Sequence, residues 1–511
     1  MTGFVYLVGA GPGDPGLLTL KGKELLERAE AVIYDSLVHT DILDYAPRDA
    51  VKECMGKTGY GMQLPQDEIT ARLIALAKEG KRVVRLKGGD PCVFGRMGEE
   101  AFALAEEGIP VEIVPGITAA SGASAYAGFP LTHRDFAPCV TLVTGHRRGD
   151  GGAGPDIDWH ALGKLGGTIA IYMGLRQMDE VTKTLIEAGR SADTPAVVVH
   201  RATWPEQKVL EGTLGDIVIR AERAGMTPPA LLIVGEVTRA RSKLDWFDKS
   251  PLKGRQVLVT RAKSQAGELC RLLQERGAMP IELPLIELKP YGHQSGTAAQ
   301  LKKIFAYDWV VFASVNAVEF TFARLAEMNL DARAFGAARV CAVGPKTAAE
   351  LSKRGINPDV VPEKYTAEAL VEAIKATGDV KGASFLVPRA REAREVVPDE
   401  LAALGARVEV LAIYENIRPA PHPLALKVLL GGHIDAVTLA SPSAATNYAA
   451  LLKENGLPAD YAPCIVIGPA TARRAAALGL SVVGEGEEHT VTGLVASLES
   501  YFAAASKGDR T

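Results

Sequence analysis

Short β-branched runs alternate with segments of helical period over most of this chain, and that alternation narrows the fold more than any other feature. In the first half the runs are FVYLVGA, AVIYD, RVVRLKGG, VEIVPG, VTLVTGH, TIAIYMG, AVVVHRA and ALLIVGEV. Between several of them, as over 17–29 and 66–78, apolar residues recur at helical spacing. Such an order implies an α/β fold with largely parallel sheet. After LLIVGEVTRARSKLDWF the pattern breaks. The stretch KSPLKG at 249–254 has linker composition, and a fresh strand, RQVLVTRA, follows it. The main boundary is expected near residue 250.

The second half repeats itself. VVFASVNAVEFTFARL (310–325) returns as VTLASPSAATNYAALL (437–452), and CAVGPKTAAELSKRG (341–355) as IVIGPATARRAAALG (465–479). The offsets, 127 and 124 residues, fit a duplicated α/β unit rather than a short solenoid repeat. Two extended stretches, IELPLIELKP (281–290) and VEVLAIYENIRP (408–419), suggest a chain that crosses twice between two lobes. A cleft between those lobes would receive the serine-bearing strand ends and the G-P-x-T-A helix starts, with their free backbone N–H groups.

With 511 residues, 47% apolar and 23% charged at a net charge of −4, the chain gives no general electrostatic case for nucleic acid or an anionic membrane. No apolar run reaches membrane-spanning length, and no signal-peptide pattern precedes the first strand; a cytoplasmic location is expected. The six cysteines (Cys54, Cys92, Cys139, Cys270, Cys341, Cys464) lie far apart without ligand spacing, so reduced thiols and no metal site are expected.

The first loop, VGAGPGDPG, looks like the start of a dinucleotide site. Gly9 and Gly11 fit the G-x-G-x-x-G fingerprint, but Asp14 stands in the third place, where a carboxylate repels a pyrophosphate. Pro12 and Pro15 also remove two N–H donors. The loop is not built for NAD.

Taken in order, GAGPGDPGLLTLKG, YDSLV, Gly56-Lys57, VRLKGGDPCVFGRMGEE, VPGITAASGASAYAGFPLTHRD, VTGH, IYMG and PPALLIVGEV make a chain that resembles the tetrapyrrole methyltransferases, specifically uroporphyrinogen-III C-methyltransferase, from Val5 to about Phe247. The resemblance implies S-adenosyl-methionine in a cleft between two α/β lobes. Its implied contacts are Pro12, Gly88, Gly89, Asp90, Val93, Thr118, Ala119, Met173, Ala202 and Ala230. The residues themselves allow plainer roles: GGDP as a tight turn, and Met173 as a core methionine. Methyl transfer to a pyrrole carbon needs orientation and proton management. The family match makes Asp35 the proton acceptor and Lys57 a donor, against a helix cap and a solvated lysine. Cations for the polycarboxylate substrate would come from Arg96, His133, Arg134, His146 and Arg147. One departure is Met97, where the family often has glycine.

Residues 252–503 resemble uroporphyrinogen-III synthase through ASVNAV, AVGPKTA, the tyrosine of LAIYE, ASPSA and IGPATA. The resemblance implies closure of hydroxymethylbilane by folding a flexible substrate into geometry, without a cofactor. Tyr414 would assist departure of the hydroxyl; Ser314, Thr347, Ser441, Ser443 and Thr471 would hold carboxylates. Each Ser or Thr could equally be a helix N-cap.

The expected architecture is α/β: a two-lobed tetrapyrrole methylase fold over 1–248, then a two-lobed synthase fold over 252–505 with a double crossover. Its lobes would be 252–286 plus 418–505, and 289–415. The expected function is bifunctional. The second half makes uroporphyrinogen III with inversion of ring D, and the first methylates it twice to precorrin-2. NAD-dependent oxidation is not expected, and a homodimer through the methyltransferase half is. The alternatives are a methyltransferase acting on a later corrin intermediate, and a second half that is a two-lobed ligand-binding regulator.

Overall fold

The computed structural model describes residues 3–56, 65–145, 157–291, 295–392, 396–421, 423–432 and 434–508. They fall into two compact units. One runs to Arg255 and includes Leu273–Met279 and the chain from Phe502; the other is Gln256–Leu272 with Pro280–Tyr501.

The first unit holds two five-stranded sheets. Strands β1 (Phe4–Gly9), β2 (Ala31–Tyr34), β3 (Val51–Cys54), β4 (Arg82–Lys87) and β5 (Val111–Val114) form one in the order β3-β2-β4-β1-β5. All four of its pairings are parallel. Val5, Leu7 and Val8 of β1 are fully buried, as strands covered on both faces require. The helix Gln66–Lys78 turns Ile69, Leu73, Leu76 and Ala77 inward, with Asp67 and Glu68 in its first turn and Lys78 in its last, matching the helix dipole. The helix expected over 17–29 is Leu20–Glu27: Thr19 caps it, its hydroxyl accepting from Gly22 N at 3.1 Å.

The second sheet comprises β6 (Val140–Thr144), β7 (Thr168–Tyr172), β8 (Pro195–His200), β9 (Lys208–Thr213) and β10 (Ala230–Val234), ordered β6-β7-β10-β8-β9. Here the expectation of largely parallel sheet fails. Only β6 and β7 are parallel; β7–β10, β10–β8 and β8–β9 are antiparallel. Hydrophobic period reports that a segment is a strand and carries no strand direction. The short, half-polar β3 and β9 escape the same pattern, since VKEC and KVLEGT alternate too many polar residues to stand out.

The second unit has strands β11 (Gln256–Val259), β12 (Met279–Glu282), β13 (Glu287–Pro290), β14 (Trp309–Phe312), β15 (Arg339–Ala342), β16 (Ser384–Ala390), β17 (Arg407–Ile417), β18 (Ala436–Leu439), β19 (Cys464–Val466) and β20 (Val482–Glu485). One sheet runs β12-β11-β18-β19-β20 and the other β13-β17-β16-β14-β15. The chain therefore leaves the first sheet after β12, completes the second, and returns after β17. The repeat is visible in the build. β14 and β18 each run into a serine-capped helix, and β15 and β19 each run into a Gly-Pro helix start. Asp308 staples the second of these sheets: its Oδ2 accepts from Ser384 N and Ser384 Oγ, both at 2.8 Å.

Candidate active sites

In the first unit the carboxyl ends of β1, β4 and β5 converge, the usual place for a ligand on a parallel sheet. Backbones pass so closely there that a Cβ on Gly9 would lie 2.6 Å from Gly116 Cα and 2.8 Å from Gly89 O. Gly11 and Gly89 exchange backbone hydrogen bonds at 3.1 and 2.7 Å, tying the proline loop to the GGD turn. Gly89, at φ +72°, needs the left-handed freedom of glycine.

The proline loop is also bracketed from the second sheet's side. Asp14 N donates to Thr203 Oγ1 at 2.9 Å, and Trp204 Nε1 donates to Pro12 O at 3.2 Å. The Asp14 carboxylate accepts from Gly16 N at 2.7 Å and from the Tyr126 hydroxyl at 2.5 Å. Burial, with Asp14 beside it, pushes the Tyr126 phenol up. Asp14 thus holds the loop's shape, which explains an acid where a dinucleotide fold has glycine.

Several expected cofactor contacts surround this loop. Gly88, Gly89 and Asp90 follow β4, and Asp90 Oδ1 accepts from Cys92 N at 2.8 Å, so the tight turn is real. Val93 precedes Phe94, which has φ +55° and a ring 4.9 Å from Tyr172. Thr118 Oγ1 lies 2.7 Å from the Tyr172 hydroxyl, which also accepts from Ala120 N at 3.0 Å; Thr118 and Ala119 are thereby fixed to the end of β7. Met173 follows, and the plain core reading of it fails. It is 53% exposed at φ +53°, a conformation that costs energy outside glycine and concentrates at functional sites. Ala202 is buried beside Arg201 (φ +44°) and Thr203 (φ +70°). Ala230 opens β10, paired with His200.

Asp35 stands immediately after β2. Its Oδ1 accepts from Arg85 Nη2 at 2.5 Å, and its Oδ2 from Gly88 N at 3.3 Å, beside the GGD turn. The helix-cap alternative is not what the side chain does. Lys57, His146 and Arg147 lie outside the described residues. Arg96 is left-handed (φ 54°) and half-exposed, paired with Glu99 at 2.6 Å. His133 stacks on Phe136 with ring centroids 4.0 Å apart, and its Nδ1 accepts from Asp135 N. Arg134 is its exposed neighbour.

Sequence reading missed the partners of Asp35. Arg85 and Lys87 sit on β4 with almost no exposure, and both reach Glu100 on the helix Met97–Glu106. The signal was present: two cations at i and i+2 inside the apolar strand RVVRLK share one face and need buried counter-charges.

In the second unit Tyr414 lies on β17, with its hydroxyl 3.3 Å from Ser314 Oγ and its ring stacked 5.1 Å from Phe320. Ser314 Oγ accepts from Ala317 N at 3.1 Å, and Ser441 Oγ from Ala444 N at 3.1 Å, so both serines are N-caps. Ser443 is exposed in the first turn of its helix. Thr347 and Thr471 depart from expectation. Both are buried within their first helical turn, so their hydroxyls have little surface to offer a carboxylate. The backbone N–H groups of the same Gly-Pro starts are the better donors. Arg261, unremarked in the sequence, follows β11. Its Nε donates to Gln265 in the helix Lys263–Glu275, which in turn donates to Asn316 in the helix Val315–Glu327 at 3.2 Å, linking the helices that follow β11 and β14. Burial lowers the Arg261 pKa.

Among the described residues no group of His, Cys, Asp or Glu is placed to hold a metal ion, and no helix is long and apolar enough to cross a membrane.

The family model of tetrapyrrole (corrin/porphyrin) methylases matches residues 5–218, and that of uroporphyrinogen-III synthase HemD matches 267–496. The porphyrin biosynthesis protein HemD of Ruminiclostridium josui is 35% identical over 97% of this chain and 97% of its own. A uroporphyrinogen-III C-methyltransferase of Bacillus subtilis is 35% identical over 86% of this chain and 90% of its own. Siroheme synthase 1 of Yersinia enterocolitica is 51% identical over 49% of this chain and 52% of its own. Among solved structures, the Thermus thermophilus uroporphyrin-III C-methyl transferase complexed with S-adenyl homocysteine aligns at 39% identity with TM-score 0.40, covering 46% of this chain and 94% of that one. Two family models in this order, and a relative aligned over nearly the whole length, place the chain in the family that joins a tetrapyrrole methylase to a uroporphyrinogen-III synthase: it is a bifunctional enzyme of tetrapyrrole biosynthesis.

Proposed function

We propose that the synthase half closes hydroxymethylbilane to uroporphyrinogen III with inversion of ring D and without a cofactor. The methyltransferase half then methylates that product twice, on rings A and B, to give precorrin-2. The two catalytic domains would be 1–248 and 252–505, in a cytoplasmic homodimer joined through the methyltransferase half.

The observation that carries the methyltransferase reading is the Asp35 carboxylate, held on both oxygens beside the GGD turn. The proline loop, the GGD turn, Val93, Thr118, Ala119, Met173, Ala202 and Ala230 fit S-adenosyl-methionine. Gly9 and Gly116 let the strand-end backbones pack against each other and against Gly89 O, where a Cβ on either would clash, and Met173 offers an exposed side chain in a strained conformation. The bound cofactor supplies a sulfonium methyl group. Backbone N–H groups and the Asp90 carboxylate orient it, while Asp35 accepts the proton the macrocycle releases. Arg96, His133 and Arg134 would meet substrate carboxylates. In the synthase half, Ser314 Oγ already accepts from Ala317 N and can donate its own proton to Tyr414. The phenolic proton is then free to assist departure of the substrate hydroxyl.

The test is Asp35→Asn. Methylation should fall about 10²–10⁴-fold, the usual weight of a general base, while S-adenosyl-methionine still binds and ring closure proceeds. Near-normal methylation would remove Asp35 from the mechanism.

A further inference from the structure

Behind Asp35 lies a set of charges that ordinary folding does not require. Arg85 is 2% exposed, and its guanidinium reaches three ways: Nη2 to Asp35 Oδ1 at 2.5 Å, Nε to Glu100 Oε1 at 3.2 Å, and Nη1 to Leu86 O at 3.3 Å. Lys87 Nζ donates to the same Glu100 Oε1 at 2.8 Å, and Gln66 Nε2 at 2.9 Å. Glu100 is fully buried, and its Oε2 has no hydrogen-bond partner among the described residues. Burying ion pairs is costly, and well-packed apolar side chains commonly stabilise a core as well or better. Stability alone therefore gives a weak account of two β4 cations buried with a helix carboxylate.

The arrangement does give geometry. A guanidinium is a planar fork whose donors cannot turn independently. With Nε anchored on Glu100 and Nη1 on the backbone, Nη2 has one direction left, toward Asp35. Gly88 N takes the other Asp35 oxygen. The carboxylate is thus held at both oxygens while its side chain keeps 31% of its surface open. Burial opposes the Arg85 charge, but the Asp35 and Glu100 carboxylates overcome it and raise its pKa. Lys87 behaves oppositely: burial and the neighbouring Arg85 lower its pKa against the pull of Glu100. Arg85 is the fixed charge of the set.

We infer that Arg85 is the positioning residue for Asp35, and that Glu100, bridged to Lys87 and Gln66, fixes the Arg85 fork. The inference rests on the proton-accepting role of Asp35 and adds the device that aims it.

The experiment measures methylation kcat and KM, and S-adenosyl-methionine Kd, for Asp35→Asn, Arg85→Met and the double variant. Arg85→Met should lower kcat about 10–100-fold, the scale seen when a supporting partner of an active-site group is removed, with the Kd unchanged. The double variant should be no slower than Asp35→Asn alone, because a residue that acts through Asp35 has nothing left to act on. An Arg85→Met loss that multiplies onto the Asp35→Asn loss overturns the inference. A near-normal Asp35→Asn enzyme instead overturns the role of Asp35 itself, so the two failures are separate. Should Arg85→Met not fold, the isosteric Glu100→Gln carries the same test. About a tenfold loss that disappears in the Asp35→Asn background supports positioning, and a loss that persists there, or no loss at all, overturns it.

Discussion

Gly122 sits in the helix Ala119–Ala127, where alanine is ordinarily the better residue by about 0.8–1 kcal/mol. Here the proline loop reverses that preference. A Cβ on Gly122 would lie 2.5 Å from Pro12 Cγ, 3.0 Å from Pro12 Cβ and 3.1 Å from Thr203 Cγ2. Carbon atoms pack best at about 3.5–4.0 Å, so the Pro12 ring must retreat by about 1 Å. The loop cannot give way freely, because Pro12 O accepts from Trp204, Asp14 N donates to Thr203, and Gly11 is bonded to Gly89. Overpacking of this kind costs about 1–3 kcal/mol, and the helix gain offsets about 1 of it. Gly122→Ala should therefore melt only slightly lower than the parent. Its S-adenosyl-methionine affinity should fall about 10–100-fold, each tenfold being about 1.4 kcal/mol, since the displaced loop is the one proposed to contact the cofactor. Titration calorimetry with S-adenosyl-methionine measures this. Gly267→Ala, on the helix Lys263–Glu275 with open space around its Cβ, is the control and should bind normally. Unchanged affinity in Gly122→Ala would refute the assignment of this loop to the cofactor.

Tyr414→Phe keeps the ring stacked on Phe320 and removes the hydroxyl near Ser314; stability should change by about 0.5–1.5 kcal/mol and ring closure should slow about tenfold or more. Full-rate closure in an assay of hydroxymethylbilane consumption would take Tyr414 out of the reaction. Asp308 has its pKa lowered, chiefly by the Ser384 backbone N–H and then by the Ser384 hydroxyl. A depressed carboxylate contributes stability that is present above its unfolded value of 3.8 and lost as pH falls through its lower folded value. Asp308→Asn should flatten the acid dependence of melting below pH 3.8 relative to the parent; an identical acid limb would contradict the staple.

Much of this was legible because motif and geometry coincide. The Ser and Gly-Pro helix starts of the second half repeat in sequence and repeat as N-caps in space. The GGD turn and the end of YDSLV meet where parallel strands end. What escaped was long-range. Asp14 and Tyr126 are 112 residues apart, and nothing local to either marks the other. Antiparallel pairing in the second sheet escaped because period-2 patterning carries no direction. For Met173 the residues alone allowed a core side chain, since an apolar residue between a strand and a glycine is usually buried, and only the family resemblance pointed to the cofactor; its left-handed backbone and 53% exposure exclude the core role. The Arg85–Glu100–Lys87 set was readable in principle, since charges inside a buried strand demand partners.

Both reactions are expected of one chain, in succession. The direct measurement is anaerobic incubation of the full-length protein with hydroxymethylbilane and S-adenosyl-methionine, without added metal or nicotinamide, followed by mass spectrometry of the tetrapyrrole. A cyclic product carrying two added methyl groups is expected, and unmethylated uroporphyrinogen III when S-adenosyl-methionine is left out. Unconsumed hydroxymethylbilane, or a closed product that never gains a methyl group, would contradict it.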